Sequence, residues 1–130
     1  MKKILVLLFL GMNTLQAQKT STIYLDDLDV KKYSEGIQSV VTKTNMRGDS
    51  MLINRKYFKH GIGVESTSVI PFYIKGQATS FSCTIGADDK ANKLISLTFY
   101  ILGDGKILYQ SPELIQGDPA IFVEVDLKGV

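Results

Sequence analysis

Hydrophobic and polar residues alternate along the second half of the chain. Between residues 95 and 101 the odd positions are apolar, and the even positions hold Ser96, Thr98 and Tyr100. Residues 121–127 repeat the alternation, with Phe122 on the polar side. Because successive side chains of a β-strand point to opposite faces of the sheet, this period of two predicts strands that are buried on one face.

The dipeptide Asp104-Gly105 lies between two apolar runs. A type I′ turn requires positive φ at both of its central residues, and Asp followed by Gly is a favoured pair for that geometry. We therefore predict a β-hairpin over residues 94–110.

Two further strands are predicted before this hairpin. In residues 69–74 alternate side chains are apolar and face inward, namely Ile70, Phe72 and Ile74. Pro71 has no N–H to donate to a sheet, so it places this strand at an edge or a bulge. Lys75-Gly76-Gln77 then predicts a turn, and residues 80–85 predict the next strand.

Short strands at intervals of about ten residues, separated by turn residues, are typical of an antiparallel β-sandwich. No helical period of useful length competes with them, although residues 26–36 are compatible with one short helical turn or an extended segment. The sequence therefore predicts an all-β protein with a single antiparallel β-sandwich.

The first 18 residues are typical of a secretory signal peptide. Lys2 and Lys3 precede an unbroken apolar run over residues 4–10, and Ala17 supplies a small residue at a cleavage point. The run is shorter than the roughly 20 residues that span a bilayer, which favours cleavage over a retained anchor. We expect a secreted or periplasmic protein with residues 1–18 as signal peptide, residues 19–130 as one domain, and no membrane span after cleavage.

Charge and cysteine content narrow the function classes. All 13 acidic residues and 13 of the 15 basic residues lie beyond residue 18, so the mature chain has no net charge and no basic stripe for nucleic acid. Cys83 is the only cysteine, which excludes an internal disulfide. It shares a strand face with Phe81 and Ile85, and this favours a buried thiol over a reactive one.

Four motifs follow one another along the mature chain. They are Tyr24-Leu25-Asp26-Asp27-Leu28-Asp29, Lys59-His60-Gly61-Ile62-Gly63-Val64-Glu65, Ile85-Gly86-Ala87-Asp88-Asp89 and Gly103-Asp104-Gly105-Lys106. In this order they resemble the NPCBM/NEW2 domain, a carbohydrate-binding module of family 98 glycosyl hydrolases and bacterial α-galactosidases. The resemblance covers residues 23–130. It implies a jelly-roll-like, galactose-binding-domain-like β-sandwich that binds sugars beside a glycoside hydrolase catalytic domain.

The chain departs from the family pattern at three places. A stretch that in relatives contains tryptophan reads Ser34-Glu35-Gly36-Ile37-Gln38 here, and the whole chain has no tryptophan to stack on a sugar. Glu65 stands where relatives often carry histidine. Relatives continue into another strand after the equivalent of Val130, so we expect the C-terminal strand to be absent, in a fragment of a longer protein or in a shortened module.

Four polar residues of these motifs are the candidate carbohydrate-binding residues: His60, Glu65, Asp88 and Asp89. His60 is the only histidine, and spacing reveals no partners for a metal site or a catalytic triad, so a hydrogen-bonding role is preferred. The glycines between His60 and Glu65 either let a ligand approach the backbone or simply satisfy strand-end geometry.

Carboxylates occur in two clusters. Asp88-Asp89 can accept hydrogen bonds from sugar hydroxyls, can bind calcium through hard oxygen ligands, or can form a solvated turn. Asp26, Asp27 and Asp29 are expected to cap turns and to be exposed. Calcium is thus the one cofactor that the sequence leaves open, and the metal ligands stay unassigned.

The favoured function is non-catalytic carbohydrate binding that targets a secreted glycoside hydrolase or cell-surface machinery to glycans, of galactoside type by analogy. One alternative is a structural or protein-interaction β-sandwich that has lost sugar binding, which the missing tryptophan supports. Another is the N-terminal fragment of a glycoside hydrolase. Catalysis by two carboxylates such as Glu65 and Asp88 would need them roughly 5–9.5 Å apart across a cleft, and a lone sandwich of this size predicts no enzyme.

Overall fold

The computed structural model describes residues 20–33, 40–65 and 67–130. The predicted signal peptide, residues 1–18, and the stretch 34–38 lie outside these ranges. Within them the chain forms a 3₁₀ helix at Leu25–Asp27 and one α-helical turn, α1, at Val30–Tyr33. The described strands are β1 (Val40–Thr42), β2 (Met51–Ile53), β3 (Lys56–Phe58), β4 (Ile62–Val64), β5 (Ser80–Ile85), β6 (Tyr100–Gly103), β7 (Lys106–Gln110) and β8 (Ile121–Asp126).

All the described strand pairs are antiparallel. β2 with β3 and β6 with β7 form hairpins, whereas β1 with β4 and β5 with β8 join strands that are distant in sequence. The β5–β8 pair is the longest and runs from Ser80 opposite Asp126 to Ile85 opposite Ile121. The predicted all-β, antiparallel architecture is therefore confirmed.

The core lies between the β5–β8 pair and the segment that contains β6 and β7. Ile85, Leu114 and Val123 are buried at its centre. Half-buried apolar side chains surround them: Cys83, Phe99, Ile101, Tyr109, Ile121 and Val125. The predicted alternation is confirmed over residues 97–101 and 121–127, where the inward positions are buried or half-buried while Thr98, Tyr100 and Phe122 are exposed. At Ile95 the prediction is wrong, because this residue is 41% exposed.

The predicted hairpin is confirmed at Asp104-Gly105, where φ is 47° and 78°. Its regular strands are shorter than predicted, and the register shifts between Ile101 and Leu102. Pairing nevertheless continues beyond the strands, because Leu97 and Leu114 exchange two backbone hydrogen bonds of 2.8 Å. The hairpin thus reaches the core residue Leu114.

The prediction of a strand over residues 69–74 is wrong. Residues 67–79 contain no strand, although alternate side chains are half-buried, as the pattern predicted: Ile70, Phe72 and Ile74. Pro71 has no backbone N–H to donate to a neighbouring strand, and among the described residues this segment has no hydrogen-bonded partner strand. Its apolar side chains therefore pack inward although the backbone does not form a strand. The turn after it is confirmed, since the Gln77 N–H donates to the Ile74 carbonyl over 2.9 Å.

The helical turn predicted within residues 26–36 is confirmed by Leu25–Asp27 and α1. Val30 at the start of α1 is only 2% exposed, so this segment contributes to the buried interior. In the described part of the chain, no helix has the length and apolar character needed to cross a membrane.

Candidate functional site

The turn between β2 and β3 holds Asn54 and Arg55 at φ values of 46° and 67°. Asp104 and Gly105 have nearly the same values in the other hairpin, 47° and 78°. A residue with a Cβ pays roughly 1–2 kcal/mol in this left-handed conformation, which is why glycine is favoured at the second position. Arg55 therefore keeps a side chain at a position where glycine would be more stable.

A neighbouring loop holds the Arg55 turn in place. The Asp89 carboxylate accepts a hydrogen bond of 2.8 Å from the Arg55 N–H. The Asp89 N–H donates to the Leu52 carbonyl over 2.8 Å, and the Gln116 side-chain amide donates to the Asp89 carbonyl. Three chain segments thus meet at Asp89, which fixes their relative positions.

An open cleft of about 500 Å³ lies between these segments, and we call it the first cleft. Its lining residues are Asn54, Arg55, Asp89, Lys93, Ile115, Gln116 and Gly117. Within the described ranges the Arg55 guanidinium and the Lys93 ammonium have no ion-pair partner, and Ile115 is 48% exposed. A few convergent polar groups beside an apolar side chain suit a small polar ligand.

The Asp88 carboxylate, by contrast, accepts hydrogen bonds only from other parts of the fold in the described residues. Its Oδ1 accepts hydrogen bonds from the Asn45 amide at 3.1 Å and from the Lys90 N–H at 2.9 Å. Its Oδ2 accepts one from the Leu52 N–H at 3.1 Å. These three bonds tie the loop to β2, so Asp88 supports the first cleft from behind and does not line it.

Asn45, the side-chain partner of Asp88, was not predicted from the sequence. It is 5% exposed, and its side-chain oxygen accepts hydrogen bonds of 3.0 Å from the N–H groups of Arg47 and Asp49. The Asn45 amide group then donates to Asp88. An Asn four residues before an Asp in a glycine-containing loop is a signal for a side-chain-capped turn, but it does not identify a partner 43 residues away.

His60 belongs to a different cluster. Its ring stacks on Tyr24 with a centroid separation of 3.8 Å and an interplanar angle of 8°. Its Nδ1 lies 3.2 Å and 3.3 Å from the two carboxylate oxygens of Asp26, and since an ionised carboxylate only accepts, Nδ1–H donates. The Asp26 carboxylate also accepts the Gly61 N–H at 3.1 Å. The prediction that Asp26 is exposed is wrong, because its side chain is 2% exposed.

Asp26, Asp27 and His60 bring potential metal-ligand atoms within 4.8 Å of one another. Asp27 is already paired with Lys43, whose hydrogen bond lowers the pKa of the Asp27 carboxyl, while the same bond raises the pKa of Lys43. His60 Nδ1 is in turn hydrogen-bonded to the Asp26 carboxylate. The groups therefore form a hydrogen-bonded cluster that joins Asp26 and Asp27 to the residue after β1 and to the residues before β4.

The Gly61-Ile62-Gly63 motif lets β4 pack closely against β1 and the residues that follow it. A Cβ on Gly63 would lie 2.6 Å from the Thr44 carbonyl oxygen and 2.8 Å from a Val41 methyl group. Only glycine at position 63 therefore lets β4 lie this close to residues 41–44. Glu65 follows β4 and is exposed, and its backbone carbonyl accepts the Ser68 hydroxyl at 2.7 Å. This favours the strand-end interpretation of the glycines over ligand approach.

The four predicted site residues thus have separate surroundings. Asp89 lines the first cleft, Asp88 holds its loop, His60 packs with Tyr24, and Glu65 is exposed beyond β4. The other residues of the first cleft were not predicted from the sequence: Asn54, Arg55, Lys93, Ile115, Gln116 and Gly117. The only available signal was Asn54, which is a favoured residue for a hairpin turn, and the three-residue strands beside it show no usable alternation.

Cys83 is half-buried in β5 and packs against the core. Burial raises the pKa of its thiol, since the surroundings disfavour the charged thiolate. Both observations agree with the predicted unreactive thiol.

An antiparallel β-fold with an open, polar cleft at the end of its strands is typical of a binding module. The chain belongs to the NPCBM/NEW2 domain family, whose model matches residues 21–130. The predicted resemblance is therefore confirmed.

Two solved structures from Clostridium perfringens are similar to this chain. One contains the CBM51-2 and INT domains of ZmpB, with a TM-score of 0.71 and 26% identity over 82% of this chain and 25% of that one. The other is CBM51 from GH95 in complex with methyl-galactose, with a TM-score of 0.70 and 21% identity over 82% of this chain and 79% of that one. These neighbours confirm the predicted galactose-binding-like β-sandwich.

A curated relative from Renibacterium salmoninarum is named as an endo-alpha-N-acetylgalactosaminidase and is 35% identical over 72 residues. The match covers 55% of this chain and 5% of that protein. The family and the structural neighbours are carbohydrate-binding modules, so the chain is a non-catalytic binding domain and not an enzyme, as predicted.

Proposed function

We propose that this carbohydrate-binding module binds glycans of galactoside type in the first cleft. The observation that carries the proposal is Arg55, a long cationic side chain kept at a left-handed turn position beside an open cleft. A residue held in an unfavourable backbone conformation points to a use for its side chain.

The chemistry of the cleft fits a sugar. Arg55 and Lys93 donate hydrogen bonds to hydroxyl oxygens, while the Asp89 carboxylate accepts them from hydroxyl protons. Gln116 and Asn54 do both, and Ile115 offers an apolar surface to the C–H groups of a pyranose ring. The cleft is open and carries few such groups, so we expect weak, reversible binding.

Galactoside preference is supported by the relatives. One structural neighbour was solved with methyl-galactose, and the curated relative is named for an N-acetylgalactosaminidase activity. The same relative supports a glycoside hydrolase as the partner that the module brings to glycans. The expected signal peptide at residues 1–18 supports export to the periplasm or the cell exterior.

A structural or protein-interaction role is the second candidate function. It is favoured by the contacts of Asp88 and His60, two of the four predicted sugar-binding residues, since their polar groups are engaged within the chain. Under this alternative the fold persists and no glycan binds.

The test is a calorimetric titration of the protein and its Arg55→Gly variant with methyl galactoside, N-acetylgalactosamine and a glycan array of mucin sugars. Glycine relieves the left-handed strain at position 55, so we expect a melting temperature equal to or above that of the wild type. Binding should weaken at least about tenfold, because hydrogen bonds to a charged group contribute roughly 1.5–3 kcal/mol.

Arg47→Ala is the matched control, since Arg47 is the other arginine and contributes only its backbone N–H to the Asn45 loop. It should bind as the wild type does. Repeating each titration with calcium and with a chelator tests the calcium hypothesis for the Asp88-Asp89 loop. A folded wild-type protein that binds no sugar would overturn the proposal and favour the structural role.

A further inference from the structure

A second cleft, of about 380 Å³, lies on the other side of the β2–β3 turn. Its lining residues are Ile53, Asn54, Lys56, Thr84, Pro119, Ala120 and Phe122. Asn54 borders both clefts, so the two adjoin at this turn residue, whereas Arg55 lines the first cleft alone. A ligand longer than one sugar residue that occupies the first cleft therefore has an adjoining space.

Phe122 gives this second cleft an aromatic surface. It is 67% exposed on β8, where the following outward-facing residues are Glu124 and Asp126. It lies directly opposite Thr84 of β5 in the antiparallel register, so the ring and the Thr84 hydroxyl share the outer face of the pair. An aromatic ring on a polar strand face, with a hydroxyl beside it, is available to a ligand and not to the core.

The polar groups around the ring are suited to hydroxyls. The Asn54 amide donates and accepts, the Thr84 hydroxyl does the same, and the Lys56 ammonium donates. The Lys56 ammonium lies 5.4 Å from the centroid of Phe58 and has no carboxylate partner in the described ranges. An aromatic surface edged by a few hydrogen-bonding groups presents a stacking face and polar anchors, which is the combination that a pyranose ring needs.

We propose that the second cleft is a subsite for the next sugar residue of a glycan whose terminal residue occupies the first cleft. Phe122 stacks on the apolar C–H face of that sugar, and Thr84 and Asn54 hydrogen-bond its hydroxyls. This subsite rests on the proposed sugar binding in the first cleft, and it makes the ligand a disaccharide or longer.

The experiment compares methyl galactoside with lactose as calorimetric ligands for the wild type and for Phe122→Ala. Lactose should bind more tightly than methyl galactoside to the wild type. In the variant, methyl galactoside affinity should stay within about twofold, while lactose affinity should fall roughly three- to tenfold to the monosaccharide level, the range expected for a lost stacking contact. Phe122→Trp should keep the lactose preference.

Tyr100→Ala is the matched control, since Tyr100 is a 50% exposed aromatic residue on β6 that lines neither cleft. It should leave both affinities unchanged. Amide chemical shifts add an independent readout: lactose should shift Thr84 and Phe122, whereas methyl galactoside should shift residues of the first cleft alone.

The outcomes separate this inference from the proposed function. Equal weakening of both ligands by Phe122→Ala would place Phe122 in the primary site and overturn the subsite, as would unchanged lactose binding. Binding of neither ligand by the folded wild type would overturn galactoside binding itself, and the subsite with it.

Discussion

Two consecutive carboxylates, Asp26 and Asp27, have opposite surroundings. The Asp26 side chain is 2% exposed and accepts hydrogen bonds from His60 and the Gly61 N–H, whereas the Asp27 side chain is 49% exposed and pairs with Lys43. Removing Asp26 leaves half-buried donors without acceptors, and Asp27→Ala removes only a solvated ion pair.

We therefore expect Asp26→Ala to lower the free energy of unfolding by about 1–3 kcal/mol. Asp27→Ala should unfold close to the wild type at moderate salt. Urea denaturation followed by circular dichroism measures both, and the two variants serve as each other's control because they remove the same group from adjacent positions. Equal midpoints for the two variants would contradict the assignment of Asp26 as an anchor.

Asp26 and Asp27 are identical residues at adjacent positions, so nothing in the sequence distinguishes the buried one from the exposed one. For the same reason the site was predicted only in part. Asp88 and Asp89 differ in the same way. The Asp88 carboxylate accepts hydrogen bonds from the Asn45 side chain and from β2, while Asp89 lines the first cleft. The motif identified the loop correctly. Which carboxylate turns toward a ligand depends on partners more than 30 residues away, and spacing does not contain that information.

At the scale of elements, the β2–β3 hairpin is placed by its contact with the residue after β5. A Cβ on Gly86 would lie 2.6 Å from Ile53 Cγ2 and 3.0 Å from Ile53 Cδ1, so Ile53 occupies the space that a larger residue would need. Both clefts are bordered by this hairpin, and its position against β5 therefore sets their shapes.

Gly86→Ala should consequently destabilise the domain by roughly 1–3 kcal/mol, the usual cost of overpacking. It should also weaken sugar binding, because the hairpin must move away from β5. Thermal unfolding and calorimetry measure the two effects. The control is a double-mutant cycle with Ile53→Ala, which removes the clashing Cγ2: the double variant should be more stable than the sum of the single effects predicts. Strict additivity would show that Gly86 and Ile53 do not interact.

Elements with a long, regular pattern were predicted well. An alternation of six or more residues predicted the strands at 80–85 and 121–127. A strong turn signal, Asp104-Gly105, predicted the hairpin between β6 and β7. The strands β1 to β4 have three residues each, too few for a period of two to stand out. The segment 69–74 shows the converse failure, since its alternation reflects packing of one face without a partner strand.

At the scale of the whole molecule, long-range pairing organises the fold. β5 and β8 are separated by the entire β6–β7 hairpin, and that hairpin supplies Leu114 to the same core. Periodicity and turn spacing predicted a β-sandwich but not which strands pair, and the jelly-roll-like arrangement was expected from the family resemblance alone. The structural neighbours then confirmed the galactose-binding-like sandwich. The packing of the β2–β3 turn between two clefts was visible only in three dimensions.

Cys83, the only cysteine of the sequence, packs against the core. Its burial makes the free energy of unfolding depend on pH in the alkaline range. Burial raises the pKa of the Cys83 thiol above its ordinary value of 9.0, so the folded protein holds this proton more tightly than the unfolded chain. As the pH rises past 9.0, the unfolded thiol ionises first, and the free energy of unfolding falls. Below that pH the thiol is protonated in both states and stability is insensitive to it.

Urea denaturation between pH 7 and 10 should therefore show a steeper loss of stability for the wild type than for Cys83→Ala. The variant keeps every other titrating group, including the Lys43–Asp27 pair, so subtracting the two curves isolates the thiol. Because the half-buried Cys83 packs against the buried cluster of Ile85, Leu114 and Val123, only global unfolding exposes it fully. Parallel curves would mean that the thiol already meets solvent in the folded protein, and the core would then be open at β5.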